Sequence, residues 1–188
     1  MIRKILIGIW IIIIAGGLTS YVLWPQSFSP QNIAAFLNEF QNEALLIYFA
    51  ISIARGFTLL PSTPIVLAGT LMFPASPWIV LVVSLLGIVI SSSMIYWFSD
   101  LLGFDEYFES KKPNHVRKIK SKLEHPLGLG FVSLWAFFPL VPTDAVCYVA
   151  GTIRMHFARL IAAVFAGELV LCACYVFGGG HLFTLLNR

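Results

Sequence analysis

Residues 44–73 read ALLIYFAISIARGFTLLPSTPIVLAGTLMF, an apolar segment that Pro61-Ser62-Thr63-Pro64 interrupts. Proline lacks a backbone N–H and clashes with the preceding helical turn, so a helix cannot continue unchanged through two of them. A second apolar segment, residues 128–152, is interrupted in the same way by Pro139-Leu140-Val141-Pro142. An Ala-Gly pair follows each interruption, and we interpret the two segments as an internal repeat. The pairs are Ala68-Gly69 and Ala150-Gly151.

The composition indicates an integral membrane protein. Of the 188 residues, 59% are hydrophobic and 11% are charged, and the mean hydropathy is +0.87. A soluble domain typically has about 25% charged residues. The three cysteines lack a metal-binding spacing, and the net charge of +3 comes mainly from one basic cluster. We therefore expect no metal, no cofactor and no nucleic-acid partner.

Three uninterrupted segments are long enough to span a bilayer, which takes about 20 apolar residues. They are residues 1–24, 77–98 and 157–177, and Gly178-Gly179-Gly180 is expected to end the last one. Residues 25–43 carry apolar side chains at helical spacing and no Lys or Arg. This pattern predicts an amphipathic helix that lies on the membrane surface.

The basic cluster determines how the two broken segments are interpreted. Residues 100–127 form a polar loop that should face the cytoplasm, as should the N-terminus. The loop reaches that side only if residues 44–74 fold back as a re-entrant hairpin. The same reasoning makes residues 128–153 a second hairpin, which enters from the opposite face. The loop holds six of the twelve basic residues: Lys111, Lys112, Arg117, Lys118, Lys120 and Lys122.

The sequence thus predicts an all-α integral membrane protein with about three full transmembrane helices plus two opposed re-entrant helical hairpins related as an inverted repeat. Residues 44–180 form its core. Irregular backbone at membrane depth needs protein or water around it, so the two hairpin tips should meet in a shared polar cavity.

Three ionisable residues fall at membrane depth: Arg55, Asp144 and Glu168. Charges there are unfavourable and often functional. Structural roles are the alternative. The Arg55 side chain could extend to the interface, Asp144 could cap the helix that follows Pro142, and Glu168 could belong to a structural ion pair. Arg154 is equally consistent with an interfacial anchor.

Two motifs carry a family resemblance. The first is Arg55-x5-Pro61-x2-Pro64-x3-Ala68-Gly69, and the second is Phe138-Pro139-Leu-Val-Pro142-Thr-Asp144-x3-Tyr148-x-Ala150-Gly151-x2-Arg154-x2-Phe157. Over roughly residues 40–180 the chain resembles the DedA-like, or VTT-domain, proteins, also called the SNARE-associated Golgi protein family. In place of the acidic residue and the arginine of DedA proper, the chain has Thr63 and Ala136.

The resemblance implies two opposed re-entrant hairpins and movement of phospholipids or undecaprenyl phosphate across the bilayer, with the proton-motive force implicated in some members. For this chain it implies a bacterial inner (plasma) membrane location. The substrate would be a membrane lipid with an anionic head group.

The candidate site combines helix termini, hydroxyls and charges. Half-helices that begin after Pro64 and Pro142 would direct N–H groups at a phosphate. Arg55 would bind that phosphate, while Asp144 and Glu168 tune the site or take up protons. The candidate transport residues are Arg55, Pro61, Ser62, Thr63, Pro64, Gly69, Pro139, Pro142, Thr143, Asp144, Gly151, Arg154 and Glu168.

Other functions are weighed against a lipid translocase or scramblase. An enzyme is disfavoured because the sequence has no HExxH, GxSxG or P-loop motif and no clustered carboxylates for two metals. A proton- or ion-coupled small-solute transporter would also use broken helices around charges, and would need a homo-oligomer. Gly87 and Ser91 permit the close helix packing that a homo-oligomer could use. An assembly factor would not need the buried charges.

Overall fold

The computed structural model describes residues 2–102, 113–139 and 141–186. Short 3-10 turns lie at residues 25–28, 41–43 and 55–58, next to the first three helices. Within the described residues there is no strand, as predicted for an all-α protein. Lys111 and Lys112 of the predicted basic loop and Leu140 of the second interruption lie outside them. The helices are α1 Ile2–Leu23, α2 Pro30–Asn38, α3 Ala44–Ala54, α4 Thr63–Met72, α5 Pro77–Leu102, α6 Pro113–Glu124, α7 Pro126–Phe137, α8 Thr143–Thr152 and α9 Phe157–Leu186.

Helices α1, α5 and α9 are long and apolar enough to cross a membrane. Their candidate spans are Ile5–Leu23, Pro77–Ser99 and Phe157–Gly179, which agrees with the three predicted spans. One boundary differs, because α9 continues through the three glycines to Leu186. Glycine disfavours a helix by about 1 kcal/mol in water. An apolar surrounding favours internal backbone hydrogen bonds, so a helix persists through glycines there.

Each proline pair marks a break between two short helices. In the first break, residues 59–62, Leu59 adopts a left-handed conformation with φ 55°. Helix α4 then begins with Pro64 in its first turn, where the missing N–H needs no partner. In the second break, residues 138–142, α7 has ended before Pro139 and α8 begins directly after Pro142.

Each broken segment folds back toward its own start. In the first, the rings of Tyr48 and Phe73 lie 6.3 Å apart, so the start of α3 is next to the end of α4. In the second, the Glu124 carboxylate accepts a hydrogen bond of 2.9 Å from the backbone N–H of His156. The residues that precede α7 and follow α8 are therefore neighbours.

Helix α5 separates the two open ends. Ser84 of α5 hydrogen-bonds the Tyr48 hydroxyl at 2.6 Å, and the Tyr96 hydroxyl donates to the Met155 carbonyl at 2.6 Å. Twelve helical residues span about 18 Å. The first broken segment thus opens toward the start of α5 and the second toward its end. Between these contacts the start of α4, directly after the first break, touches the second break, where the Thr63 hydroxyl donates to the Pro139 carbonyl at 2.8 Å.

Helix α9 runs antiparallel to α5. The rings of Trp78 and Phe177 lie 4.8 Å apart at one end, and those of Trp97 and Phe157 lie 5.7 Å apart at the other. The breaks are thereby enclosed by the two central helices at about the middle of their length.

Small residues bring the helices close within the chain. A Cβ added to Gly87 would lie 2.6 Å from the Ser52 Cβ of α3. The spacing of Gly87 and Ser91 therefore serves packing inside one chain, and it carries no argument for an oligomer.

The predicted amphipathic segment packs on the protein through one side of α2. Ser29 caps this helix, since its hydroxyl accepts from the Asn32 N–H at 3.3 Å. Leu37 is fully buried against Tyr48 and Ile65, where burying a leucine contributes about 2 kcal/mol. The segment therefore forms a wall against α4.

Candidate functional site

An ion pair joins the two broken segments. Arg55 begins the 3-10 turn after α3, and Asp144 lies in the first turn of α8. Arg55 Nη1 lies 2.8 Å from Asp144 Oδ2, and the side chains are 2% and 0% exposed. The Arg55 side chain does not extend to a surface, and the Asp144 carboxylate accepts hydrogen bonds from the Arg55 and Ser91 side chains. Of the alternatives left by the sequence, the geometry is that of a buried ion pair.

Both carboxylate oxygens of Asp144 accept hydrogen bonds, whereas one of the two terminal nitrogens of Arg55 has no partner among the described residues. The second Asp144 oxygen accepts a hydrogen bond from Ser91 of α5 at 3.3 Å. Arg55 Nη1 also donates to the Leu60 carbonyl at 3.1 Å. Arg55 Nη2 is buried and has no hydrogen-bond partner among the described residues. Buried polar groups are nearly always paired, so this nitrogen is a place for an additional acceptor.

Glu168 is held by hydroxyl groups. Its side chain comes from the middle of α9, and the residue is 1% exposed. The Thr143 hydroxyl donates to Oε1 at 2.5 Å, and the Ser62 hydroxyl donates to Oε2 at 3.4 Å. Ser62 precedes α4 and Thr143 begins α8, so Glu168 links both breaks to α9.

These residues form one central cluster, defined as Arg55, Asp144 and Glu168 with Ser62, Ser91 and Thr143. It contains one cationic and two acidic side chains. Helices α4 and α8 begin beside it, and the first N–H groups of a helix are favourable for anions. Arg55 and these two helix starts are therefore the groups at the cluster that favour an anion.

The structure brings together most of the residues that the sequence singled out, and Pro61, Pro64, Pro139 and Pro142 bound the two breaks. Three other candidate residues, Gly69, Gly151 and Arg154, lie outside the central cluster. A Cβ added to Gly69 would meet the Tyr48 ring, and one added to Gly151 would meet the Tyr96 carbonyl, so both glycines allow close packing. Arg154 is exposed in the turn after α8, with φ 51°.

Two residues of the site were not predicted as such from the sequence. A Cβ added to Gly56 would collide with the Ser91 hydroxyl and come within 3.0 Å of Asp144 Oδ1. Ser91 was noted only for helix packing. The position of Gly56 beside Arg55 was a usable signal, because a glycine lets another helix approach a buried charge.

No group of three or more His, Cys, Asp or Glu side chains that could hold a metal ion occurs in the part of the chain that the structure describes. Cys172 lies near the cluster, with its sulfur 3.9 Å from Glu168 Oε2.

The VTT domain matches residues 60–181 of the 188-residue chain. The chain belongs to the VTT-domain family, the membrane proteins of the DedA type. The three apolar helices agree with an integral membrane protein. Searches of curated proteins and of solved structures returned no match.

The VTT domain includes Asp144 and Glu168 but begins after Arg55. At Ala136 the expected arginine has no room. Ala136 is fully buried, and its Cβ would lie 2.8 Å from a Cβ placed on Gly167 of α9. Arg55 is a buried cation of this chain, and it precedes the matched domain.

Proposed function

We propose that this VTT protein is a lipid translocase or scramblase that moves an anionic lipid, such as a phospholipid or a polyprenyl phosphate, between leaflets without covalent chemistry. The observation that carries the proposal is the buried ion pair between Arg55 and Asp144 at the contact of the two broken segments. A head group that crosses a bilayer must exchange water for other polar partners. The central cluster offers such partners.

The proposed topology has two opposed re-entrant hairpins related as an inverted repeat. Two contacts support it: each broken segment returns to its starting end, and the open ends lie at opposite ends of α5. We place the N-terminus and the basic helix α6 in the cytoplasm by the positive-inside rule. The membrane would be a bacterial inner membrane.

Five residues of the cluster have a proposed role in transport. Arg55 binds the phosphate as the permanently charged partner, and Asp144 holds the arginine in position. Glu168 and the hydroxyls of Ser62 and Thr143 exchange hydrogen bonds with the head group. Because one arginine balances only one of two acidic side chains, the second is the proposed site for proton uptake.

Reconstitution into liposomes tests the proposal. Fluorescent lipid is placed in both leaflets, and a membrane-impermeant reductant is added outside, with and without a proton gradient. Translocation makes the inner-leaflet pool accessible, whereas protein-free liposomes keep it protected. If the inner-leaflet lipid stayed as protected as in protein-free liposomes under both conditions, the proposal would be contradicted. The small-solute transporter would then be the function to test.

A further inference from the structure

A pocket beside the central cluster lies between α2, α3 and the first break. Its volume is about 400 Å³, within the range of ligand pockets. Ile33 and Phe36 of α2, Ile51 of α3 and Ile65 of α4 contribute an almost entirely apolar lining. Such a lining suits a hydrocarbon chain and offers little to a free inorganic anion.

Arg55 belongs to the same lining. Its guanidinium gives Nη1 to Asp144 and Leu60, while Nη2 remains buried without a partner among the described residues. A guanidinium with one occupied and one vacant nitrogen suits a phosphate or carboxylate oxygen. The pocket thus combines an apolar interior with an incompletely bound cation.

We propose that this pocket holds a chain of an anionic phospholipid whose phosphate lies beside the Arg55 guanidinium. The proposal rests on the proposed lipid translocation and names the place where the lipid binds. Ser27, Phe28, Asn32, Ile33 and Phe36 line one wall and precede the matched VTT domain, which begins at residue 60. This wall of the pocket is therefore supplied by the segment before the domain.

Photo-crosslinking tests the pocket without changing Arg55. Phe36 is replaced by benzoylphenylalanine, and Phe131 is the matched control. Both are exposed aromatic residues, 46% and 52%, and only Phe36 belongs to this lining. Each protein is reconstituted in vesicles of equal parts phosphatidylcholine and phosphatidylglycerol, and the lipid adducts are identified by mass spectrometry.

At Phe36 we expect phosphatidylglycerol adducts to exceed phosphatidylcholine adducts about tenfold, which corresponds to about 1.4 kcal/mol. The choline cation of the second lipid is repelled by Arg55. At Phe131 the adducts should follow the vesicle composition. The same ratio of phosphatidylglycerol to phosphatidylcholine adducts at both positions would overturn the proposal, even if the protein moves lipids. Selective adducts without lipid movement would instead contradict the proposed function alone.

Two further arms identify the ligand. Ile33→Trp fills the pocket and should lower the adduct yield at Phe36 at least about tenfold. Ile47→Trp is its control, because Ile47 packs on the same cluster as Ile33 but is not part of the lining. Soluble glycerol phosphate, which has the head group without the chains, should not compete. Effective competition by it, or an unchanged yield in Ile33→Trp, would overturn the proposal.

Discussion

Arg55 and Asp144 are 89 residues apart in the chain, yet their side chains form a 2.8 Å hydrogen-bonded ion pair in the interior. Each residue lies beside a different helix break, so the pair joins the two halves of the proposed repeat. Because the pair is buried and charged, it has consequences for stability that can be separated from those for transport.

Removing one member of the pair should destabilise the fold. Arg55→Ala leaves Asp144 as a buried charge without its cation, and breaking such a pair typically reduces the free energy of unfolding by about 3–5 kcal/mol. Adding Asp144→Asn removes that charge and should recover most of the stability. Thermal unfolding in detergent measures both effects.

Arg159→Ala is the matched control, because Arg159 is exposed and should leave the unfolding temperature unchanged. If the double variant were no more stable than Arg55→Ala, Arg55 and Asp144 would not act as a pair.

The Glu168 contact predicts a difference between two threonines of α8. Thr143→Val removes the hydroxyl that donates to Glu168 and leaves that oxygen without its closest donor, which should lower stability by about 1–3 kcal/mol. Thr152→Val is the control, since its hydroxyl bonds the Tyr148 carbonyl of the same helix. If chemical unfolding showed the same loss of stability in both variants, the contact between Thr143 and Glu168 would contribute no more than a hydrogen bond within one helix.

Gly56 should tolerate no side chain. In Gly56→Ala the new Cβ collides with Ser91 and disturbs its bond to Asp144, so we expect loss of folded protein in size-exclusion chromatography. Gly130→Ala is the control, because a Cβ there meets nothing within 4 Å. That change should be neutral or stabilising by up to about 1 kcal/mol. Normal folding of Gly56→Ala would contradict the close approach of Ser91 in α5 to Gly56.

The topology predicts which positions share a side of the membrane. Glu43→Cys and Ala75→Cys should react with an impermeant thiol reagent from one side, and Leu127→Cys and Arg154→Cys from the other. These positions are exposed, whereas Ala44 is buried and Gly128 has no room for a side chain. Cys174, the exposed native cysteine, is first replaced by Ser. Labelling of residues 43 and 75 from opposite sides would exclude the first re-entrant hairpin.

Local rules explain how much of this fold and site could be predicted from the sequence. Prolines must interrupt helices, so the breaks at Pro61–Pro64 and Pro139–Pro142 were predictable. A charge at membrane depth needs a partner, so a contact of Arg55 with Asp144 or Glu168 was also predictable. The sequence could not predict which of the two acidic residues pairs with Arg55. That choice depends on how α5 and α9 are rotated about their axes, because the rotation determines where Ser91 and Glu168 lie.

Packing between segments that are distant in the chain could not be predicted from the sequence. The pocket beside α2 depends on how Leu37 packs against Tyr48 and Ile65, and the continuation of α9 past its glycines depends on its surroundings. Gly69 and Gly151 were predicted as site residues because they follow the breaks, whereas their close packing against Tyr48 and Tyr96 could not be predicted.

Lipid movement by the charge-neutralised protein tests the central claim most directly. Arg55→Ala/Asp144→Asn is reconstituted beside the unmodified protein and Arg159→Ala, and loss of inner-leaflet fluorescence is followed after adding an impermeant reductant. The account predicts that the unmodified protein and Arg159→Ala expose the inner-leaflet lipid, while the folded double variant protects it as protein-free liposomes do. Lipid movement by the double variant at the rate of the unmodified protein would contradict a role of the buried pair in transport.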